Sequence, residues 1–279
     1  MQPILLTGAT GFVGRQIHKR LVENGHAVTA VIRPGSADRL AAPAAACLET
    51  PDLFAESVSW WQAAADGKAA VVHAAWYVEP GRYLDAPENL ACLAGTLRLA
   101  EGACAAGVGH VIGVGTCFEY RLPGDALGID APTGPTSLYA ACKLSSFLTL
   151  EAYFASRQTR FSWCRLFYLF GEGEHPRRLV PYLRQQLERG EVAKLSAGTQ
   201  LRDFLDVAEA GAMIADVVET GQPGAINICS GVAVTIRQLA ERIADGYGRR
   251  DLLEFGTAPL NATDPPVVVG HCNALSKGQ

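Results

Sequence analysis

The sequence predicts an α/β fold in which a doubly wound parallel sheet is followed by a smaller C-terminal α/β domain. The first observation is a short apolar run at residues 4–6 that passes through three closely spaced glycines into an amphipathic helix. The second is the alternation of apolar strands with helices as far as about residue 170. The third is a polar, turn-rich stretch at residues 172–178. We therefore expect one domain over residues 1–170 and a second over residues 171–279, with the chain crossing between them more than once.

The glycine-rich turn has the composition of a dinucleotide-phosphate site. Gly8 permits the tight turn, Gly11 lets the backbone approach a pyrophosphate, and Gly14 lets the helix pack close to the strand. The helix that follows offers free N–H groups and a partial positive charge to phosphates. The alternative interpretation is a tight strand-to-helix turn without a ligand. The expected cofactor contacts in this turn are Gly8, Thr10, Gly11, Phe12, Val13 and Gly14.

The remaining elements follow in the order that a Rossmann sheet requires. Buried strands are predicted at residues 27–32, 69–75, 110–115 and 161–166, and helices at residues 89–106 and 138–156. The alanine-rich residues 40–46 are expected to form a loop or a short helix before a third strand. In the second half, the pattern predicts helices at residues 179–189 and 235–247 and a strand at residues 225–229.

Composition argues against several classes of protein. Hydrophobic residues make up 49% of the chain and charged residues 19%, which predicts a folded globular protein. The net charge of −4, without a long basic run, argues against nucleic-acid binding, and no apolar stretch has the length of a membrane span. Met1 leads almost directly into a strand, so no leader segment is expected. The eight cysteines lack a Cys-x-x-Cys pair, which predicts reduced thiols in the cytoplasm and neither a metal site nor a disulfide framework.

The end of the second strand predicts the preferred cofactor. An acidic residue there would bind the ribose 2′-hydroxyl of NAD, whereas an arginine accommodates the 2′-phosphate of NADP. Arg33 holds this position, and Ser36 can donate a hydrogen bond to a phosphate. We therefore expect NADP(H), with NAD(H) as the alternative if Arg33 is only a solvated surface residue. Asp52 and Leu53 lie in the loop after the expected third strand, where they can meet the adenine ring.

A tyrosine and a lysine lie four residues apart on one face of a predicted helix. An ammonium group beside a phenol favours the phenolate, so Lys143 is expected to bring the pKa of Tyr139 towards the working range and to hold the nicotinamide ribose. Thr116 ends an apolar strand, and such strand ends face the ligand crevice of a parallel sheet. Its hydroxyl is placed to bond the carbonyl or hydroxyl group that reacts. A Tyr-x-x-x-Lys pair alone is common by chance on surface helices. The glycine turn upstream and the strand-end hydroxyl of Thr116 make a catalytic role the better interpretation here.

These features together resemble the extended short-chain dehydrogenase/reductases, and more narrowly their NAD-dependent epimerase/dehydratase branch, which acts on nucleotide sugars. The resemblance runs from residue 3 to about residue 256. It rests on residues 7–14, the strand end His73-Ala74-Ala75, Thr116, Tyr139 and Lys143. It implies a nucleotide-sugar substrate held by the smaller domain, cofactor contacts from Ala74 and Ala75, and the catalytic roles given above.

The resemblance also assigns residues in the second half. Residues 198–207 look like the second-domain motif of this branch, whose arginine commonly contacts the substrate nucleotide or diphosphate, and this implies that role for Arg202. His175, together with Arg177 and Arg178, forms a polar loop near the expected cleft, where a diphosphate contact and a solvated loop are equally good interpretations. A strand-end histidine, His73, is interpreted as structural, and Trp60 and Trp61 as packing residues.

The same branch implies a homodimer built through four helices. The helix faces available for it carry Leu93 and Leu97 on one helix and Phe147, Leu150 and Phe154 on the next. Packing in the core of a single chain is the alternative for these residues.

Several departures from the family pattern bear on the reaction. Dehydratases of this branch carry acidic residues directly after the threonine, where this chain has Cys117 and Phe118, so dehydration is disfavoured; Glu119 is expected to point to the opposite face. Epimerases usually have an asparagine where this chain has Tyr168, and an acid rather than Arg33 at the second strand. Cys117 and Tyr168 are accordingly placed in the substrate site. The C-terminal segment, residues 267–279, is expected to end where relatives usually continue, which would leave the substrate pocket incomplete or closed differently.

These observations predict an NADPH-dependent reductase of a nucleotide-linked 4-keto sugar. A nucleotide-sugar epimerase that uses the same three catalytic residues is the first alternative. A non-catalytic NADP-binding sensor or scaffold on the same fold is the second, and the presence of both Tyr139 and Lys143 disfavours it.

Overall fold

A computed structural model describes residues 1–259 and 264–273 of the chain. The helices within these ranges are α1 (Phe12–Glu23), α2 (Val58–Ala65), α3 (Glu88–Ala105), α4 (Leu138–Ala155), α5 (Leu179–Arg189), α6 (Val207–Thr220) and α7 (Ile236–Tyr247). The strands are β1 (Pro3–Thr7), β2 (Ala27–Ile32), β3 (Ala46–Glu49), β4 (Ala70–His73), β5 (His110–Thr116), β6 (Gly124–Leu127), β7 (Arg160–Leu166), β8 (Tyr168–Phe170), β9 (Ala193–Leu195), β10 (Leu201–Asp206), β11 (Gly224–Ile228), β12 (Ala233–Thr235), β13 (Leu253–Phe255) and β14 (Val267–Gly270).

The main sheet has seven parallel strands in the order β11-β7-β5-β4-β1-β2-β3. The predicted α/β class and the doubly wound parallel sheet are therefore confirmed. Every residue of β4 and β5 is buried, as expected where helices cover both faces. The strand order reverses between β1 and β4, and ligands of such sheets bind outside the carboxyl ends of the strands at this switch point.

Two layers of helices cover the sheet. On one face α1 packs against α6, with Ile17 and Ile214 fully buried in the same cluster. On the other face α2, α3 and α4 pack side by side, where Trp61 and Leu99 share a cluster. Trp61 is 1% exposed, so the packing role predicted for it is confirmed. Because α6 and β11 come from beyond residue 170, the chain returns to the main sheet after it has entered the smaller lobe.

The smaller lobe is built on a second sheet in the order β12-β10-β14-β6, with β8 alongside β10. A two-stranded sheet of β9 and β13 packs with α5 and α7 around Leu183 and Ala240. The α7 N-terminus is a capping box, in which Thr235 and Gln238 bond each other's backbone N–H groups. Of these strands, β8 contributes Tyr168 and Leu169 to the wall of the large cavity described below.

The helix face of α4 that was a candidate for the homodimer contact lies instead in the core of the single chain. Phe147, Leu150 and Phe154 are 7%, 3% and 3% exposed. Their rings and side chains share a cluster with Trp163 of β7. The alternative of core packing is therefore correct for α4, because the sheet already covers the apolar face that the sequence pattern shows.

Four histidines are buried: His26, which directly precedes β2, and three that lie within helices or strands of the main-sheet layers, His18, His73 and His110. Burial lowers the pKa of these last three, to about 3 for His73 and to about 4 for His110, with Lys143 and Arg160 adding repulsion. His73 bonds the Thr7 hydroxyl at Nδ1 (2.8 Å) and the Thr96 hydroxyl at Nε2 (3.0 Å). Both of its ring nitrogens are thus occupied, in agreement with the structural role predicted for it.

These buried histidines predict loss of stability in acid. A histidine that is protonated in the unfolded chain and neutral in the folded one makes stability rise with pH, so stability falls as pH drops from 6.5 towards about 4. In that window His110→Gln is expected to reduce the slope of unfolding free energy against pH by about 1.4 kcal/mol per pH unit. Denaturant unfolding across this range measures the slope. The same substitution at the exposed His271 is the control, and an unchanged slope in His110→Gln would contradict the assignment.

Candidate active site

A cavity of about 740 Å³ lies at the carboxyl ends of the main-sheet strands. It spans the switch point between β1 and β4. All residues that the sequence assigns to the cofactor or to catalysis line it: Gly8, Thr10, Gly11, Phe12, Val13, Gly14, Arg33, Ser36, Asp52, Leu53, Ala74, Ala75, Thr116, Tyr139 and Lys143. The fold therefore brings residues from several separate segments to one place.

The glycine turn at the first strand leaves no room for side chains. Gly8 has a φ of +75°, and a Cβ there would lie 2.8 Å from the backbone N of Ala75. A Cβ on Gly14 would lie 2.0 Å from the carbonyl oxygen of Gly8. The N-cap of α1 is Gly11, which has no side chain to bond the first-turn N–H groups. Those groups therefore face the cavity as a site that fits the pyrophosphate of a dinucleotide.

Two arginines flank the end of β2. Arg33 and Arg39 are exposed and line the cavity on either side of the buried Ser36. Arg39 donates to the carbonyl oxygen of Thr10 at 3.4 Å, which holds it against the glycine turn. The Ser36 hydroxyl donates to the carbonyl oxygen of Arg33 at 2.7 Å and so shapes the turn. Sequence reasoning missed Arg39, although a second arginine six residues beyond Arg33 was a readable signal.

Tyr139 lies in the first turn of α4 and is almost fully buried. Its backbone N–H donates to the carbonyl oxygen of Leu84, and the Tyr83 ring meets its ring edge-on at 4.9 Å between centroids. Burial raises the pKa of the Tyr139 hydroxyl, and the neighbouring Thr116 hydroxyl partly offsets the rise. The sequence predicted a lowered pKa for Tyr139 instead, because of the positive charge expected on Lys143. In the structure the loss of hydration outweighs any charge nearby.

Lys143 lies one helical turn further along α4 and is 3% exposed. Its ammonium donates to the carbonyl oxygen of Val114 at 2.5 Å and lies 3.8 Å from the ring centre of Trp76. Burial lowers the pKa of Lys143 to about 7, although Glu119 opposes the change. Lys143 is thus itself desolvated and carries only part of a charge at neutral pH, whereas the raised pKa of Tyr139 comes first from its own burial.

Trp76 follows Ala75 directly and was not predicted as a site residue. Its indole N–H donates to Oδ1 of Asn89 at 2.8 Å. Asn89 is fully buried and donates in turn to the carbonyl oxygens of Tyr83 and Ala86. This chain of bonds holds the loop after β4 over the catalytic pair. The signal in the sequence was an aromatic side chain at the end of a parallel strand.

A buried ion pair supports the strand end that carries Thr116. Glu119 is 0% exposed and accepts from the backbone N–H of Thr116 at 2.9 Å and from Nε of Arg165 at 2.8 Å. Trp163 Nε1 donates to the same carboxylate. Glu119 thus points away from the cavity, as expected, and fixes the backbone that places the Thr116 hydroxyl.

The substrate end of the cavity is aromatic. Phe118 and Tyr168 line it together with Cys117, and the rings of Phe118 and Tyr168 meet edge-on at 6.1 Å. Burial raises the pKa of the Cys117 thiol to about 12, so this thiol is protonated and unreactive at neutral pH. Arg178 belongs to the polar loop for which the sequence leaves a diphosphate contact open, and it is exposed and also lines the cavity.

The two other residues proposed for substrate binding do not line the cavity. Arg202 is 1% exposed, lies behind Tyr168 with its guanidinium 5.1 Å from that ring centre, and pairs with Asp264 at 2.7 Å. His175 lies in the loop before α5, where its Nδ1 accepts from the backbone N–H of Arg177. A buried partner for Arg202 could not be read from the motif alone, because Asp264 is 62 residues away in sequence.

Two absences hold for residues 1–259 and 264–273. Across these ranges, no three His, Cys, Asp or Glu side chains are grouped to hold a metal ion. Nor does any helix formed by these residues have the length and apolar character needed to cross a membrane.

Comparison with known proteins gives a consistent result. The profile of the NAD dependent epimerase/dehydratase family matches residues 4–229. A dTDP-6-deoxy-L-talose 4-dehydrogenase (NAD(+)) of Aggregatibacter actinomycetemcomitans is 24% identical over 271 residues, which cover 96% of this chain and 98% of the relative. A UDP-glucose 4-epimerase of Corynebacterium glutamicum is 28% identical over 294 residues, covering 95% and 86%.

The same fold occurs in solved structures. A UDP-N-acetylglucosamine 4-epimerase from Methanobrevibacter ruminantium, in complex with UDP-N-acetylmuramic acid, superposes with a TM-score of 0.86 at 23% identity, covering 98% of this chain and 90% of that one. A Thermus thermophilus UDP-glucose 4-epimerase in complex with NAD gives a TM-score of 0.81 at 21% identity, covering 96% and 89%.

Proposed function

The chain belongs to the NAD-dependent epimerase/dehydratase family, and from that premise we propose that it reduces the 4-keto group of a nucleotide-linked sugar with hydride from NADPH. The observation that carries the proposal is that Thr116, Tyr139 and Lys143 line one cavity with the glycine turn of β1. Cys117 and Phe118 stand where a dehydratase needs acids, which supports a redox reaction over an elimination.

The protonation state of Tyr139 supports reduction in particular. A tyrosine hydroxyl carries its proton at neutral pH, and burial raises the pKa of Tyr139 further, so Tyr139 is in the protonated form that a general acid needs. When bound, a reduced nicotinamide would supply the hydride that the carbonyl carbon accepts. Tyr139 then gives its proton to the carbonyl oxygen, while the Thr116 hydroxyl orients that oxygen. Lys143, one helical turn from Tyr139, would hold the nicotinamide ribose of the bound cofactor.

The reaction named for the relative from Aggregatibacter actinomycetemcomitans, oxidation at C4 of a sugar, is the reverse of the proposed reduction and supports it. A 4-dehydrogenase of a dTDP-linked 6-deoxy sugar oxidises the sugar at C4. Since hydride transfer is reversible, the residues that serve that oxidation also serve reduction of a 4-keto sugar. Epimerisation is the second candidate, favoured by the 28% identity to a UDP-glucose 4-epimerase.

We assign the recognition of the substrate diphosphate to Arg178. This guanidinium lines the cavity beyond the aromatic end formed by Phe118 and Tyr168. Arg202, by contrast, is engaged with Asp264 and supports Tyr168 from behind. A sugar ring would pack against the aromatic side chains, and the diphosphate would reach Arg178.

One assay tests the proposed reaction. The protein is mixed with NADPH and a nucleotide-linked 4-keto-6-deoxy sugar, and the absorbance of the reduced nicotinamide is followed while NMR identifies the product. Net oxidation of NADPH with formation of the 4-hydroxy sugar is the expected result. An isomerised nucleotide sugar without net NADPH consumption would replace the reductase by the epimerase, and tight binding without chemistry would overturn both.

The cofactor preference has its own test. Arg33 and Arg39 at the end of β2 would give the 2′-phosphate of NADP two cationic partners. NAD has no 2′-phosphate and would gain nothing from them. Arg33→Asp is expected to weaken NADPH binding by about 10- to 100-fold and to leave NADH binding within a few-fold, since one charge-assisted hydrogen bond contributes about 1.5–3 kcal/mol. Fluorescence titration of both cofactors measures this. Arg20→Asp, on the exposed side of α1, is the matched control, and an unchanged preference in Arg33→Asp would refute the role.

A further inference from the structure

Two cysteines that are far apart in sequence lie side by side in the structure. Cys229 directly follows β11, the edge strand of the main sheet, and Cys272 lies two residues after β14 of the second sheet. Their Sγ atoms are 3.0 Å apart. Cys229 is 2% exposed, and Cys272 is half-buried. The cysteine spacing in the sequence gives no hint of this pair.

The backbone on both sides of the two thiols is held in place. Asn227 donates from its backbone N–H to Oδ1 of Asn273 at 3.0 Å and from its side chain to the carbonyl oxygen of His271 at 3.1 Å. The His271 N–H donates to the carbonyl oxygen of Leu127 at 3.0 Å. Gly270 packs so closely on Cys229 that a Cβ there would lie 2.7 Å from its sulfur. The fixed backbone therefore keeps the two sulfur atoms close together, so that little conformational entropy is lost when they bond.

We propose that Cys229 and Cys272 form a reversible intramolecular disulfide when the protein meets a low-molecular-weight disulfide such as oxidised glutathione. The thiolate of Cys272 attacks one sulfur of the small disulfide, which makes a mixed disulfide and releases one thiol. Cys229, deprotonated in turn, attacks the Cys272 sulfur, which forms the protein disulfide and releases the second thiol. Two protein thiols thus lose two electrons and two protons, and one small disulfide becomes two thiols.

The order of attack follows from the surroundings of each sulfur. Cys272 is the thiol that solvent reaches. Burial raises the pKa of the Cys229 thiol, so Cys229 is slow to react with an external oxidant. Once Cys272 carries the mixed disulfide, however, Cys229 faces it at contact distance. Its high effective concentration then compensates for its small thiolate fraction.

The bond would join the two lobes covalently. It links the end of β11 in the main sheet to the segment after β14 in the second sheet. Cys229 shares a cluster with Phe167, whose neighbour Tyr168 lines the cavity. A cross-link that closes a loop of this length restricts the unfolded chain, so oxidation is expected to raise Tm by roughly 5 °C or more.

Incubation with excess oxidised glutathione, alkylation of the remaining thiols and mass spectrometry test the proposal. We expect a 229–272 cross-linked peptide that is two mass units lighter than the sum of the two reduced peptides, and a higher Tm that dithiothreitol reverses. Cys229→Ser is expected to keep glutathione on Cys272, and Cys272→Ser to lose the Tm rise. Cys47→Ser, at an exposed cysteine, is the matched control and is expected to behave as wild type. A stable mixed disulfide on Cys272 of the wild type, or a cross-link between other cysteines, would overturn the proposal.

Discussion

Replacement of Tyr139 with phenylalanine is expected to lower kcat for reduction of the 4-keto sugar by about 10²- to 10⁴-fold. The substitution removes only the hydroxyl that donates the proton. The ring stays in place, because it is packed against Tyr83 and lies beneath the loop that Trp76 anchors. Cofactor affinity is expected to change by no more than a few-fold, since Lys143 and the glycine turn are untouched. Single-turnover kinetics with NADPH and a direct cofactor titration separate the two effects.

Tyr83→Phe is the matched control for this experiment. Tyr83 lines the same cavity and its ring touches Tyr139, but it lies outside the proposed proton path. It is expected to retain kcat within a few-fold. If Tyr139→Phe turned over at the wild-type rate, another proton donor would be needed and the assignment of Tyr139 as the acid would be wrong.

Gly14→Ala is expected to weaken binding of NADPH and NADH by about 10- to 100-fold or more. The added Cβ would lie 2.0 Å from the carbonyl oxygen of Gly8, and neither atom belongs to a flexible side chain. The helix must therefore move away from the strand, at a cost of about 1–3 kcal/mol for overpacking, and its first-turn N–H groups move with it. Isothermal titration calorimetry measures the loss of affinity, and circular dichroism shows whether the fold is retained.

Gly246→Ala controls for the chemistry of the substitution. Gly246 lies in α7, where, among the residues that the structure describes, no atom outside the adjoining helix backbone lies within 4 Å of the added Cβ. Alanine is the better helix former, so this variant is expected to fold and to bind cofactor like the wild type. Wild-type affinity in a folded Gly14→Ala protein would show that the turn does not hold the pyrophosphate.

Local sequence signals predict which residues line the cavity at the carboxyl ends of the main-sheet strands. The tight turn at Gly8, the strand end at Thr116 and the Tyr139–Lys143 pair each depend on neighbours within one strand and one helix. Parallel strands then bring their carboxyl ends together by topology alone. This is why the residues assigned to cofactor and catalysis line a single cavity in the structure.

The substrate half depends on contacts between distant segments, which a single sequence does not reveal. The strands β8, β9, β12 and β13 have three residues each, too short for a periodic pattern. The pairing of Arg202 with Asp264 removes that arginine from the cavity wall, whereas Arg178 reaches it from the loop before α5. The pKa of Tyr139 was predicted in the wrong direction for a related reason. Burial depends on the whole assembled site, and it dominates over the one charge that the motif shows.

The strand order has a consequence for how the chain folds while it is being synthesised. The edge of the main sheet beyond β7 is covered by β11, which the ribosome delivers only at residues 224–228. Until then β7 exposes a row of unpaired backbone groups beside the apolar side chains of Phe161 and Trp163. The nascent chain therefore carries its cofactor turn and its catalytic residues long before its sheet is closed. During that interval the exposed edge of β7 makes the chain more prone to aggregation than the finished fold, so this is when chaperones are expected to matter most.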